Sequence, residues 1–338
     1  MPSRNAPGRS RKSRNAARVL SEDLVVGIDL GATKVVSGLV ASDGTIVRHS
    51  GYQLHANDGP EGVMEALVRS ARALIGIDPG APLSAVGIAV AAQVDPGRGI
   101  VVHAPNLGWR NVPLAERVSE QLRAPVTIVN DARAATMAEW RHGAGTGVDD
   151  LFCLSLGTGV GGSAVVGGRI LEGGTHALGE VGHITVAAGG RKCHCPNSGC
   201  FEAYVGGWAI AERAREACGA DPAAGRTLLS LAGNLPSITA RTVFEADRAG
   251  DPLAVRIVEE TERYLADGVV SVVNAFNPSV LVLGGGLVTG HPRFLSVAEG
   301  AIRSRCQPPA ARALVRPAHF GEDAAVVGAA EFARSRTR

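Results

Sequence analysis

The sequence has few of the features that mark membrane, secreted or disulfide-stapled proteins. No run of about 18 apolar residues occurs in its 338 residues, so no segment is expected to span a membrane. The basic start of the chain is followed by Ser21, Glu22 and Asp23, where a secretory signal peptide would have an apolar core. Three of the six cysteines are scattered singly, which does not suit a disulfide framework, and we therefore expect a reducing, cytoplasmic compartment.

A dominant charge of one sign is also missing, since the net charge is only +2. Six of the 34 basic residues lie among the first 20 residues, without an acidic one, which leaves 28 basic and 32 acidic residues for the rest. Such a weakly acidic body is not typical of a nucleic-acid-binding protein. We expect residues 1–20 to form a disordered basic tail, the alternative being contact with nucleic acid or anionic lipid.

Aromatic residues are scarce at 4%, whereas 44 glycines and a 45% share of hydrophobic residues suit the packed layers of an α/β protein. The length favours about two domains. An apolar strand at 24–29 runs into DLGATK and a hairpin, and a second apolar strand at 151–156 runs into GTGVGG and another hairpin. Asp29 and Ser155 thus hold equivalent places, and the repeat predicts two similar α/β halves facing each other across a cleft.

Both repeats contain a turn whose backbone N–H groups and hydroxyls are suited to bind phosphate oxygens. The candidate phosphate-binding residues are Asp29, Gly31, Thr33 and Lys34 in the first turn and Gly157, Thr158 and Gly159 in the second. Asp29 ends its strand where it could hold Mg²⁺ through water, and Lys34 adds a positive charge. A plain connection between strands is the alternative for either turn alone, and neither is a Walker A loop or a dinucleotide fingerprint.

A third glycine segment, Gly284, Gly285 and Gly286, follows a predicted strand at 280–283 and precedes a predicted helix. Because these residues lack side chains, a flat base or a ribose could approach the backbone closely there. An ordinary strand-to-helix turn is the alternative for this segment.

The stretch 178–202 is the most distinctive in the sequence, because it concentrates three cysteines, a histidine and two carboxylates. The thiols of Cys193, Cys195 and Cys200 with the imidazole of His183 make a complete tetrahedral ligand set for Zn²⁺. A disulfide plus a free thiol is the alternative, although a disulfide across Cys-x-Cys is badly strained.

His194 and His176 are the other candidates for the fourth metal ligand, and we favour His183. A site with four protein ligands leaves no position for a catalytic water, which predicts a structural metal. We expect this metal to be local to one wall of the cleft and remote from both phosphate turns.

Asp131 is the candidate catalytic base, because it follows a predicted strand at the sheet edge where open α/β folds bind ligands. An aspartate that only caps the following helix is the alternative. A free aspartate, with a pKa of about 3.9, is a weak base for an alcohol, so we expect it mainly to orient the hydroxyl. The residues expected to bind a polyhydroxylated ligand are Asn106, Asn130, Asp131, Glu180, His183 and Glu202.

Seven motifs together resemble those of the ROK family of bacterial sugar kinases and repressors, in order and over residues 24–335. They are DLGATK, PNLGW (105–109), Asn130-Asp131, GTGVGG, GEVGH (179–183), CHCPNSGCFE (193–202) and the late GGG. The resemblance implies an actin-like, hexokinase-type fold, the use of ATP with Mg²⁺, and a homodimer or homotetramer. We expect a smaller domain formed by residues 21–129 and 323–338, and a larger one, 130–322, with the zinc site.

Carried over by position, the resemblance makes Asp131 the catalytic base and assigns Asn106, Glu180, His183 and Glu202 to the hexose. It assigns His183 and the three clustered cysteines to zinc, so that His183 serves both ligands. The chain departs from the usual family pattern at Ala32 and Pro196, where glycine is common, and at Arg133, where asparagine is common. None of these differences removes a chemical group.

The leading hypothesis for function is a glucokinase, which transfers the γ-phosphate of ATP to the 6-hydroxyl of glucose. A kinase of N-acetylglucosamine or N-acetylmannosamine is the alternative, and the sequence does not decide because discrimination at the 2-position depends on pocket shape. A sugar-responsive transcriptional repressor is disfavoured, since only 28 residues precede Asp29 and we expect a helix-turn-helix domain to need more. No membrane or nucleic-acid partner is expected.

Overall fold

The computed structural model describes residues 24–54, 59–75 and 84–337. The predicted tail at 1–20 lies outside these residues. The described chain divides into two compact units, the first containing its residues up to Val129 and those from Ala329 to Thr337, the second comprising Asn130–Gly328. Within the described ranges, no helix is long and apolar enough to cross a membrane.

The first unit is built on a five-stranded sheet and a smaller three-stranded one. The strands are β1 Val25–Leu30, β2 Lys34–Val40, β3 Ile46–Gln53, β4 Val86–Val90, β5 Gln93–Asp95, β6 Ile100–Ala104, β7 Trp109–Val112 and β8 Val126–Asn130. The larger sheet has the order β3-β2-β1-β4-β8, with β1 antiparallel to β2 and parallel to β4. Helices α1 Gly59–Ile75 and α2 Leu114–Leu122 belong to the same unit, and Met64 and Leu67 of α1 are fully buried.

The sequence PNLGW, expected to be a loop, forms regular structure. Pro105–Leu107 is a turn of 3₁₀ helix, and Trp109 begins β7, which pairs with β6 in the three-stranded sheet β5-β6-β7. These strands are three to five residues long. Such short segments carry too little alternation of polar and apolar residues to be recognised from sequence.

The second unit combines another five-stranded sheet with a large helical part. The strands are β9 Leu151–Leu156, β10 Val160–Val166, β11 Arg169–Ile170, β12 Val280–Gly284 and β13 Leu314–Pro317, in the order β11-β10-β9-β12-β13. The helices are α3 Asp131–His142, α4 Glu202–Val205, α5 Gly207–Ala220, α6 Arg226–Ala232, α7 Ala240–Arg248, α8 Pro252–Phe276, α9 Gly286–Gly290 and α10 Arg293–Arg305. A last helix, α11 Ala324–Thr337, carries the chain back into the first unit.

Residues 203–217 do not form one continuous helix. Gly206 adopts an extended conformation (φ −62°, ψ 146°), which ends α4 and begins α5. The break matters because it directs backbone N–H groups of the following residues toward the second glycine turn, as described below.

The expected internal repeat is visible in strand register. Asp29 of β1 pairs with Val36 across the hairpin, and Ser155 of β9 pairs with Gly161 in the same way. Each strand also has a parallel neighbour, β4 for β1 and β12 for β9. Asp29 and Ser155 therefore occupy equivalent positions, one residue before the end of the first strand of each hairpin.

Each unit has its own apolar core. In the first unit the core lies around Ile28 and Ile88 of the central strands and Leu67 of α1. In the second it joins Phe152 of β9 to a helical cluster that includes Phe201, immediately after the last clustered cysteine. Cys193 and Cys200 are themselves part of this core, so the cysteine-rich segment is anchored in it.

Candidate active site and metal centre

The four predicted zinc ligands come together in the second unit. One ligand atom from each of His183, Cys193, Cys195 and Cys200 lies within 4.8 Å of the others. The Sγ atoms of Cys195 and Cys200 are 3.5 Å apart, and Sγ of Cys193 is 3.7 Å from Nδ1 of His183. Tetrahedral coordination with Zn–S bonds of about 2.3 Å separates neighbouring sulfurs by about 3.8 Å, so the donor set fits zinc. All the cysteines are free thiols, which removes the disulfide alternative from this structure.

Short backbone pairings hold the cysteine loop in shape. Isolated bridges join Thr185 to Cys200 and Lys192 to Ser198, which closes the loop on itself. Gly199 has φ +77°, and a Cβ there would overlap the carbonyl of Ala187. Only glycine suits this conformation and this approach, so the glycine before the last cysteine fixes the loop geometry.

The two other candidate histidines have different partners. The ring of His194 stacks on Trp208 with centroids 3.9 Å apart and planes 21° from parallel. Nδ1 of His176 lies 2.9 Å from a carboxylate oxygen of Glu172. Neither belongs to the four-residue cluster.

The two ring nitrogens of His183 face different side chains. Nδ1 faces the thiol of Cys193, and Nε2 lies 3.9 Å from Oε2 of Glu180. The side chains of His183 and Glu180 are 36% and 54% exposed, so both can be reached by a ligand. A metal on Nδ1 would leave Nε2 directed to this accessible carboxylate, the arrangement that a doubly used histidine needs.

Both carboxylate oxygens of Glu202 accept hydrogen bonds. Oε2 accepts a hydrogen bond from the backbone N–H of Val160 at 2.9 Å, and Oε1 accepts one from Nε1 of Trp208 at 3.1 Å. Val160 directly follows the second glycine turn, and a Cβ on Gly159 would overlap Oε2 of Glu202. Glu202 therefore packs against the turn that was expected to bind phosphate.

The expectation that the metal cluster is remote from both phosphate turns is wrong for the second turn. Glu202 stands two residues after the clustered Cys200 and contacts that turn directly. Between them, Phe201 is fully buried against Gly268 of α8, where even a Cβ would overlap its ring. The buried phenylalanine anchors the connection from cluster to turn in the core of the second unit.

Asp131 is held at the start of α3 by its neighbours. Its Oδ1 accepts hydrogen bonds from Nδ2 of Asn130 at 2.9 Å and from the backbone N–H of Ala132 at 2.8 Å. The helix cap is Asn130, whose Oδ1 accepts the N–H of Arg133 at 3.2 Å. Capping thus falls to Asn130, and Asp131 is the oriented carboxylate, not the cap.

Arg133 makes a contact that links α3 to a distant segment of the chain. Its side chain is nearly fully buried and donates through one terminal nitrogen to the backbone carbonyl of His176. Burial lowers the pKa of the Arg133 guanidinium, and the charges of Glu172 and Glu180 oppose that shift. Arg133 therefore ties the helix of Asp131 to the loop that leads into Glu180. No sequence motif predicts this contact, because the partner is a backbone atom 43 residues away.

The two glycine segments of the second unit lie at neighbouring strand ends. Ser155 of β9 pairs in parallel register with Gly284 of β12. Gly285 has φ +93°, and a Cβ there would overlap the backbone of Leu156. At Gly157 and Gly286 a Cβ would meet nothing within 4 Å, so open space adjoins both segments. Ligands of open α/β sheets bind at such carboxyl ends.

The remaining predicted residues lie in the first unit. In the first turn, the N–H of Gly31 donates to the carbonyl of Lys34 at 3.0 Å, and the side chains of Thr33 and Lys34 are exposed. Burial raises the pKa of the Asp29 carboxyl, and the charge of Lys34 acts in the opposite direction. Asn106 lies exposed in the 3₁₀ turn before β7.

Comparisons with known proteins agree on one family. The sequence matches the ROK family over residues 25–336. A glucokinase of Streptomyces coelicolor is 33% identical over 317 residues, which cover 92% of this chain and 98% of that protein. A crystal structure of a ROK family glucokinase from Streptomyces griseus, in complex with glucose and AMPPNP, is 34% identical with a TM-score of 0.77, covering 92% of this chain and 99% of that one. An N-acetylmannosamine kinase of Shigella flexneri is 30% identical over 317 residues, with 92% and 98% of the two chains covered.

The likeness extends over both units, since the matched residues begin in β1 and end in α11. The predicted actin-like, hexokinase-type fold is confirmed by the similarity to the glucokinase structure. The family predicted from the seven motifs is confirmed as well: the chain belongs to the ROK family.

Proposed function

We propose that this protein is an ATP-dependent hexose kinase that transfers the γ-phosphate of ATP to the 6-hydroxyl of glucose. The observation that carries the proposal is Asp131, an oriented carboxylate at the head of α3, held by Asn130 and Ala132. The similarity to glucokinases over nearly the whole chain supports the choice of reaction and of substrate.

In the proposed reaction, Asp131 accepts a hydrogen bond from the 6-hydroxyl and aligns its oxygen with the γ-phosphorus. The bond from the 6-oxygen to the γ-phosphorus forms while the bond from that phosphorus to the leaving oxygen of ADP breaks. The hydroxyl proton passes to this carboxylate late in that exchange, because an aspartate is too weak a base to remove it earlier. Glu180, His183 and Glu202 hold the other hydroxyls, and a missing hydroxyl would leave them unpaired, which gives selectivity. Asn106 and Asn130 complete the proposed sugar set.

The glycine turns are proposed to bind the nucleotide. The turn 31–34 and the turn 157–159 offer backbone N–H groups and hydroxyls to phosphate oxygens, and 284–286 offers bare backbone to the base and ribose. Mg²⁺, bound with the nucleotide, neutralises charge on the phosphates. Asp29 is the residue proposed to hold it, and a buried carboxylate of raised pKa gains most from a nearby cation.

Zinc is proposed as a structural metal. His183 and the three clustered thiolates supply four ligands, and a closed set of this kind leaves no position for a reacting water. The ion would fix the orientation of His183 and the chain leading to Glu202. We further propose that the two compact units act as the functional domains, and that the protein is cytoplasmic and forms a homodimer or homotetramer. Light scattering of the purified protein tests the last point.

A kinase of N-acetylglucosamine or N-acetylmannosamine is the second candidate, favoured by the similarity to an N-acetylmannosamine kinase at 30% identity. The two candidates differ at the 2-position of the sugar, where an acetamido group replaces a hydroxyl. A sugar-responsive repressor, the third hypothesis, would bind its sugar without consuming ATP.

A coupled assay for ADP release separates these functions. Purified protein is supplied with ATP and Mg²⁺ and, in separate reactions, with glucose, mannose, N-acetylglucosamine or N-acetylmannosamine. The proposal predicts the highest kcat/KM for glucose. A higher value for an acetamido sugar would establish the second candidate, and sugar binding without ADP release would point to the repressor class.

A further inference from the structure

The segment 202–208, which begins two residues after the clustered Cys200, is hydrogen-bonded to the second glycine turn along its length. Three bonds connect them: Val160 N–H to Glu202 Oε2 at 2.9 Å, Gly207 N–H to Gly157 O at 2.9 Å, and Trp208 N–H to Thr158 O at 3.2 Å. The break at Gly206 makes the last two possible, because a continuous helix would use those N–H groups internally. One short segment thus borders the whole turn.

Trp208 contacts three parts of the proposed site at once. Its backbone N–H donates to the turn at Thr158, and its indole N–H donates to Oε1 of Glu202. Its ring stacks on His194, which stands between two of the clustered cysteines. Trp208 therefore contacts the cysteine loop, the carboxylate of Glu202 and the second glycine turn.

We propose that Trp208 and Glu202 are positioning residues for the nucleotide, which transmit the order of the metal loop to the phosphate turn 157–159. The inference rests on the proposed function, in which this turn binds phosphate. Glycine-rich backbone loses much conformational freedom when it is fixed, so a turn held in advance binds phosphate with less entropic cost. Binding linkage makes the effect reciprocal, so nucleotide and zinc should each strengthen binding of the other.

Trp208→Phe is the variant that tests the connection most selectively. Phenylalanine keeps an aromatic ring to stack on His194 but lacks the indole N–H that bonds Glu202. We expect the Kd for Mg·AMPPNP, measured by calorimetry without sugar, to rise at least about fivefold, since a hydrogen bond to a charged group is lost. Zinc content should stay at one per chain.

Trp140→Phe is the matched control. Its indole N–H also donates a hydrogen bond, to the carbonyl of Val148 at 2.8 Å. Trp140 lies in the same unit near Leu151, at the start of β9, whereas the turn 157–159 follows the end of that strand. This variant should bind Mg·AMPPNP as the wild type does.

Glu202→Gln serves as a second test. Glu202 accepts hydrogen bonds from two N–H groups, and the amide of glutamine would place a donor against one of them. Its Kd for Mg·AMPPNP should also rise.

A third measurement uses the wild-type protein. Removal of zinc by a chelator should raise the Kd for Mg·AMPPNP, and restoring zinc should reverse the rise. Unchanged nucleotide affinity in the folded Trp208→Phe or Glu202→Gln variant would overturn the inference and leave the kinase proposal intact. Failure of the wild-type protein to bind Mg·AMPPNP at all would overturn both.

Discussion

Replacing Asp131 with asparagine removes a negative charge with little change in shape. Oδ1 of Asp131 accepts the hydrogen bonds from Asn130 and Ala132, at 2.9 and 2.8 Å. An asparagine keeps an oxygen that can accept both, so the start of α3 should be preserved. We therefore expect Asp131→Asn to change the free energy of unfolding by less than about 0.5 kcal/mol.

The expected effect on catalysis is large by comparison. A positioned general base contributes at least about 10²-fold, so kcat should fall by that factor or more, equivalent to about 2.7 kcal/mol of transition-state stabilisation. Binding of glucose, measured by calorimetry, should persist. The assay is ADP release at saturating ATP and glucose, accompanied by denaturant unfolding of both proteins.

Asp150→Asn is the matched control for this substitution. Oδ1 of Asp150 also accepts a backbone N–H, from Gly167 at 2.9 Å, within the same unit. Loss of its charge should leave kcat unchanged. If Asp131→Asn retained more than about a tenth of wild-type kcat, Asp131 would not be the base.

Three further predictions concern other parts of the proposed site. Arg133→Met should raise KM for glucose by about tenfold with a smaller effect on kcat, because it frees the loop leading to Glu180. Arg141→Met, on the exposed side of the same helix, is the control and should change neither constant. Equal losses in kcat and kcat/KM for Arg133→Met would refute this role. Because burial raises the pKa of Asp29, its ionised form destabilises the folded state at neutral pH. Asp29→Asn should therefore raise the melting temperature at pH 7 while weakening Mg·ATP binding, and the thermal gain should disappear as pH falls through the raised pKa toward about 3.9; a lower melting temperature at pH 7 would contradict it. Cys195→Ser should lower the zinc content below one per chain and weaken glucose binding, with Cys306→Ser, a cysteine outside the cluster, as the control.

The parts of the site that were predictable from sequence are those whose residues lie close together in the chain. The cysteine cluster follows from spacing, because a short loop with glycine at 199 brings its thiols together. The repeated strand, turn and hairpin also follow from local pattern, and their equivalent register confirms the placement of Asp29 and Ser155.

The contacts that escaped prediction depend on packing between distant segments. Trp208 stacks on His194 only because the chain bends at Gly206, and an isolated glycine pair does not show whether a helix will break there. Arg133 bonds a backbone carbonyl, which any residue provides, so sequence carries no sign of its partner. The short strands of the three-stranded sheet could not be predicted for a different reason. Three to five residues are too few to show the alternation of polar and apolar side chains that indicates a strand.

Comparison of glucose with 6-deoxyglucose tests the central claim most directly. The two sugars differ only in the hydroxyl that the proposed reaction phosphorylates, so both should bind at Glu180, His183 and Glu202. With ATP and Mg²⁺, glucose should release ADP and yield glucose 6-phosphate, identified by mass spectrometry, while 6-deoxyglucose should inhibit without releasing ADP above the sugar-free rate. Equal ADP release with both sugars, or none with glucose, would contradict phosphoryl transfer to the 6-hydroxyl.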